Sequence, residues 1–231
     1  PLPSSQQLHP APEQAACTNP EVVATLVKLA YEAGAKKVKV FDHTCHDPRR
    51  CYVSSGIEAA AKAAGAEVSH MEERRYREVA IPQGEALKSW PLYVDALEAD
   101  KYINVPIAKH HSLSRLTLGM KNTMGIMGGA RNRTHQNLDV SLCDLALVVK
   151  PCLTVLDAVR VLTAHGPVGG SLADVKKLDT LVVGVDPVAV DSYGATLFGL
   201  KGQDLGVVRH GMRRGLGQGD LSKVAIRQLK V

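Results

Sequence analysis

The sequence predicts an α/β protein: a mostly parallel sheet with helices on both faces, in Rossmann-like layering. Three observations carry this. Helix-spaced and strand-like apolar segments alternate, and the turns Ala33-Gly34-Ala35 and Ala64-Gly65-Ala66 join helix to strand twice in the same way. Hydrophobic residues make up 45% but aromatics only 4%, so the core must be built from Val, Leu, Ile and Ala, as helix-covered parallel sheets are. Polar or proline-bearing turns follow several strand candidates at Asp42, Asn104-Val105-Pro106 and Asp186-Pro187, where open α/β sheets place their sites.

The elements follow in order. Residues 1–11, rich in Pro, Ser and Gln, read as an expression remnant or loose lead-in, and residues 12–231 as a single α/β domain. Asn19 caps a helix over 22–33, with Pro20 at its first position, and Gly34 ends it. Residues 37–41 read as a buried strand, 55–64 as a helix stopped by Gly65, and 66–70 as the next strand. A charged connector (72–77), a short edge strand (79–82) and a helix (92–97) precede a strand over 102–105. Beyond the basic segment 109–135 come a helix over 138–149 and a strand over 153–156 ending at Asp157. A turn spans 166–170. A strand over 180–185 and a helix over 188–198 follow, then a partly helical stretch over 202–211 and a last strand over 224–229.

Bulk properties exclude several classes. A net charge of +5 permits an anionic small-molecule partner without demanding nucleic acid, and no stripe of aromatics among basic residues offers a base-stacking surface. No apolar run reaches the roughly 20 residues needed to span a bilayer, and no signal peptide is visible. Five cysteines is an odd number for a disulfide framework, so a reducing, cytoplasmic setting is expected.

Two constellations carry chemistry. The loop from Asp42 to Tyr52 crowds Cys45, Cys51, His43, His46, Asp42 and Asp47 between a strand and a helix. Cys45 and Cys51 lie six positions apart, close enough on one loop to share a metal, and Arg49 and Arg50 would lower a neighbouring thiol's pKa and bind an anion there, a cluster or an anionic substrate. Cys17, before the first helix, falls near the same sheet edge as a third candidate ligand, whereas Cys143 and Cys152 read as small core residues. The plain alternative is ordinary loop cysteines. The second constellation is the stretch from Lys109 to Asn137, which holds no Asp or Glu. Lys109, His111, Lys121, Asn122, Arg131 and His135 there could hold an anion, against the bland reading of a solvated positive face. Asp186 is a candidate base, although capping of the following helix is the simpler role.

Together these residues resemble a known family. Thr18-Asn19-Pro20-Glu21-Val22-Val23, Asp42-His43-Thr44-Cys45 through Cys51-Tyr52 to Ser55-Gly56-Ile57, Ile103-Asn104-Val105-Pro106 and Lys109-His110-His111 carry the likeness. So do Lys121-Asn122-Thr123-Met124-Gly125, Arg131 with His135, Asp157-Ala158, Gly166-Pro167 with Gly169-Gly170, and Asp186-Pro187-Val188-Ala189-Val190-Asp191. The chain is similar, from about Pro12 onward, to the domain of unknown function three-sixty-two, whose members are labelled uncharacterised iron–sulfur centre proteins. The resemblance implies an iron–sulfur cluster, [4Fe–4S] in type, on Cys45 and Cys51, and a redox or electron-transfer role. A redox partner protein or a small anionic substrate would then be its partner. Some relatives carry an appended Cys-x-x-Cys-x-x-Cys module, which this chain lacks. The remaining ligands must then come from Cys17 or from the second subunit of a homodimer. The competing expectation is a metal-dependent hydrolase or transferase acting on a small anionic metabolite, with Asp186 or Asp42 as base.

Overall fold

The computed structural model describes residues 11–167 and 171–230; the lead-in 1–10 and the glycine pair 169–170 of the expected turn lie outside them. The first layer is a small βα unit. Asn19 accepts the Glu21 N–H at 3.0 Å and caps helix α1 (Pro20–Glu32), with Pro20 at its first position. Strand β1 (Lys39–Val40), helices α2 (Pro48–Ser54) and α3 (Ile57–Ala63) and strand β2 (Glu67–Val68) follow. β1 and β2 pair in parallel, and Val23 and Val27 of α1 pack against Ala61 and Ala66. The expected helix over 55–64 thus begins two residues later and is preceded by a separate turn of helix. Gly56, at φ 74°, makes the break, a left-handed backbone that suits glycine.

An antiparallel hairpin, β3 (Tyr76–Ala80) with β4 (Ser89–Tyr93), takes up the edge strand expected at 79–82. It leads into helix α4 (Val94–Glu98).

The main sheet has its parallel pairings at the centre. Strands β5 (Ile103–Asn104) and β6 (Ile107–His111) both pair in parallel with β8 (Leu153–Leu162). Val105-Pro106 interrupts them because proline has no N–H for the ladder, yet the Pro106 carbonyl still accepts the Asp157 N–H at 2.8 Å. β7 (Arg115–Thr117) pairs antiparallel with β6, and β9 (Val175–Gly184) antiparallel with β8. Helices α5 (Gly119–Asn122), α6 (Leu138–Val148), α7 (Pro187–Thr196) and α8 (Gly206–Arg213) complete the chain. The fold is α/β, with a mixed main sheet.

Several expectations change. β8 runs past Asp157 to Leu162, and β9 starts at Val175 rather than 180, because the two pair along nearly their whole length. Residues 224–229 form no strand; Ile226 and Leu229 are exposed, so their apolar character is not matched by a sheet neighbour. Cys143 is fully buried as expected, but Cys152 is exposed, ahead of the strand rather than inside it.

The main core gathers Leu92, Leu118, Met120, Leu145, Leu156 and Val188, among others. Asp144 of α6 is buried within it and accepts the N–H groups of Glu85, Ala86 and Leu87 at 2.7–2.8 Å, with Arg214 as its ion partner. A buried carboxylate is tolerable only when satisfied in this way.

Candidate functional site

The loop leaving β1 docks on the segment 123–131. The His43 N–H donates to the Gly125 carbonyl at 2.8 Å, and His43 Nδ1 lies 2.5 Å from the Met127 carbonyl. An Nδ1–H pointing at a carbonyl leaves Nε2 as the bare nitrogen. Tyr52 of α2 closes the loop from behind: its hydroxyl accepts the Asp42 N–H at 2.7 Å and donates to the Asp42 carbonyl at 2.9 Å. Gly125 has to be glycine, since a Cβ there would collide with Asp42 Oδ1. The hairpin holds this segment from the other side. Gly128 N–H donates to the Pro91 carbonyl at 2.8 Å, and Trp90 Nε1–H to the Gly128 carbonyl at 3.0 Å.

The segment before α1 arrives from elsewhere. Thr18 Oγ1 donates to the Val105 carbonyl at 2.8 Å, a carbonyl at the strand break. Asn19 N–H donates to Asp157 Oδ2 at 2.7 Å, and Lys109 Nζ to the Ala16 carbonyl at 2.5 Å. Cys17 is thus fixed between two tethers. It lies within the electrostatic reach of Lys109, Asp42, Cys51 and Cys45. Arg131 bridges the remaining wall, with Nη1 on the Met124 carbonyl at 3.2 Å and Nη2 3.5 Å from Cys45 Sγ.

The electrostatics follow from depth. Burial raises the thiol pKa of Cys17, opposed by Lys109, and burial likewise raises that of Cys51. Asp42 keeps an exposed surface, yet the protein crowded around it raises its carboxyl, against the pull of Arg131, His43 and Lys109. Burial lowers Lys109, and it lowers Lys121 to about 8 with help from Lys109 and Arg131.

Of the residues singled out in the sequence, Cys17, Cys51, Lys109 and Arg131 lie within electrostatic reach of Asp42, and Lys121 within that of Lys109, Cys45 and Arg131. His111 and His135 stack beside them, ring centroids 6.2 Å apart. His111 is buried and shifted down to about 4 chiefly by burial; its Nδ1 accepts the Leu113 and Ser114 N–H groups, so it shapes the turn from β6 to β7. Asn122 donates to Asn104 Oδ1 at 2.9 Å, a brace inside the fold rather than an anion ligand. Arg49 and Arg50 are exposed on α2, and the cationic partners of the thiols are Lys109 and Arg131 instead. Asp186 caps α7: its Oδ1 accepts the Val188 and Ala189 N–H groups, and its Oδ2 that of Gln218. These three bonds are those of a helix cap, the simpler of the two roles read from the sequence.

Two carboxylates that matter for position were not assigned their roles in the sequence. Asp157 anchors Asn19, and Asp191, fully buried, accepts the Gly119 and Met120 N–H groups at the start of α5. An acid inside an apolar run is the signal that marks each.

The thiols of Cys17, Cys45 and Cys51 are soft-metal donors in kind, and His43 shares a loop with Cys45. Among the described residues, no group of three or more His, Cys, Asp or Glu side chains is placed so that it could hold a metal ion. The donor set suits an iron–sulfur group in kind: thiols with cations beside them to offset the charge of thiolates.

The chain belongs to the family described as Domain of unknown function (DUF362), whose model matches residues 5–196. It is also similar to the thylakoid-associated protein sll1697 of Synechocystis sp. (strain ATCC 27184 / PCC 6803 / Kazusa), 24% identical over 188 residues. That alignment covers 78% of this chain and 56% of the relative, so the chain spans about half of that protein's length. No helix among the described residues is long and apolar enough to cross a membrane.

Proposed function

We propose that this is a redox or electron-transfer protein whose iron–sulfur cluster, [4Fe–4S] by the family resemblance, is held by Cys17, Cys45 and Cys51. The observation that supports it is the placement of Cys17: Asp157 and Lys109 tether the chain on both sides of it, within electrostatic reach of the two loop thiols. Ligation needs thiolates, and metal binding releases their protons. Lys109 and Arg131 stabilise the negative charge that results. A cluster there supplies one-electron transfer. Three thiols leave one ligand to come from a substrate, a redox partner or the second subunit of a homodimer. An odd number of cysteines, five, suits a reducing compartment such as the cytoplasm.

The test is anaerobic purification and reconstitution, followed by iron and sulfide assay and electron paramagnetic resonance. C17S, C45S and C51S should each lose iron. A colourless, iron-free protein after reconstitution overturns the reading.

A second reading is favoured by one observation. Lys121 is lowered to about 8, chiefly by burial and then by Lys109, which brings a nitrogen base toward neutrality among cations. A hydrolase or transferase acting on a small anionic metabolite would use such a group. The double variant C45S/C51S separates the two readings: it removes a visible chromophore under the first, and under the second there is none to lose.

A further inference from the structure

We infer that Lys121 anchors a binding site for a small organic carboxylate beside Cys45, formed whether or not a metal is bound. Lys121 is half-buried on α5. Among the described residues it has no carboxylate partner; its ammonium makes one weak contact, 3.9 Å to Met124 Sδ. The groups sharing its surroundings are the cations Lys109 and Arg131 and the thiol of Cys45, with His111 and His135 beside them. Its two cationic neighbours are engaged: Lys109 by the Ala16 carbonyl, Arg131 by the Met124 carbonyl and Cys45. An ammonium withdrawn from water without an anion is costly, so a fold that holds one there leaves a vacancy of negative charge.

The backbone that carries Lys121 is fixed on both sides. Asp191 grips the Gly119 and Met120 N–H groups, and Asn104 donates to the Gly119 carbonyl at 2.8 Å while accepting from Asn122 at 2.9 Å. Asp191, on α7, is therefore occupied with the α5 backbone rather than with the Lys121 ammonium. Gly119 permits the grip, since a Cβ there would stand 2.9 Å from Asp191 Oδ1.

The ligand class follows from what lies beside the charge. Arg131 has both Nη nitrogens turned onto protein atoms, which limits the multidentate capture that phosphate rewards. Lys121 gives a point charge, and the Met124 thioether gives an adaptable apolar neighbour. A single carboxylate with a short carbon body matches both.

The experiment uses metal-free full-length protein and isothermal titration calorimetry with propionate, succinate and inorganic phosphate. Wild type should bind at least one carboxylate more tightly than phosphate. K121M should weaken that binding at least tenfold, and K121R should keep it within a few-fold. A circular dichroism melt checks that both variants fold, and the ammonium 15N shift of Lys121, followed through the same titration, reads the contact in wild type. Carboxylate binding unchanged in K121M, tighter binding of phosphate, or no carboxylate binding to wild type each overturns the inference. Iron content is irrelevant to all of these outcomes, so failure here and failure of the cluster reading are told apart.

Discussion

Asp157 Oδ2 accepts the Asn19 N–H at 2.7 Å across 138 positions of sequence, and that bond is one of the tethers that place Cys17. Asp157 is 1% exposed and its Oδ1 is taken by Val159, so it acts as a fixed post within β8. D157A should cost about 1.5–3 kcal/mol in urea unfolding, the range for hydrogen bonds to charged groups. It should also speed labelling of Cys17 by a thiol reagent, read by mass spectrometry. Unchanged labelling would show that Thr18 and Lys109 suffice as tethers.

Gly125 offers a second handle. An alanine methyl there collides with Asp42 Oδ1 and strains the bond from His43 N–H to the Gly125 carbonyl. G125A should lose about 1–3 kcal/mol, as overpacking commonly does, with a changed near-ultraviolet circular dichroism spectrum from the neighbouring tyrosines.

Asp191 predicts a pH dependence with a definite sign. Burial raises its carboxyl to about 7 from an ordinary value of 3.8, its two N–H donors notwithstanding. Between roughly pH 4 and 7 the folded protein holds a proton that the unfolded chain releases, so this group's contribution to stability declines as pH rises through that window. Urea midpoints taken at steps from pH 4 to 7.5 should show a flatter trend in D191N than in wild type. Parallel trends would mean that Asp191 is ionised throughout.

Asp144 and Arg214 test the other side of the core. Removing one partner strands the other, so D144A should destabilise by about 3–5 kcal/mol. The three orphaned N–H groups of Glu85, Ala86 and Leu87 add to that penalty. A D144A/R214M double variant should recover part of the loss in the same urea assay.

The α/β class was legible because it rests on local signals: the Asn19 cap, the repeated Ala-Gly-Ala turn, and apolar strands between them. The antiparallel partners of β6 and β8 were not, since an alternating strand reads alike whichever way its neighbour runs. For the same reason the length of β8 beyond Asp157 was hidden; a buried acid looks like a strand end. Cys45 and Cys51 stood out in one loop, and Lys121 and Arg131 in one acid-free stretch. What sequence could not convey is that Lys109 reaches Ala16, or that Arg49 and Arg50 turn outward while Arg131 turns in. Those are tertiary facts, decided by how α2 and the segment 123–131 pack. Asp186 was read two ways, and its three bonds are those of a helix cap.

Trp90 is the chain's one tryptophan, and its indole N–H is bonded to the Gly128 carbonyl, one residue from the Met127 carbonyl that orients His43. The protein therefore carries an intrinsic fluorophore wired to its own candidate site. Emission from this single indole, free of overlap from any other, reports the arrangement of residues 125–131 without a label. Titrating iron or a carboxylate while watching that one band follows the site itself, in the native chain, in real time.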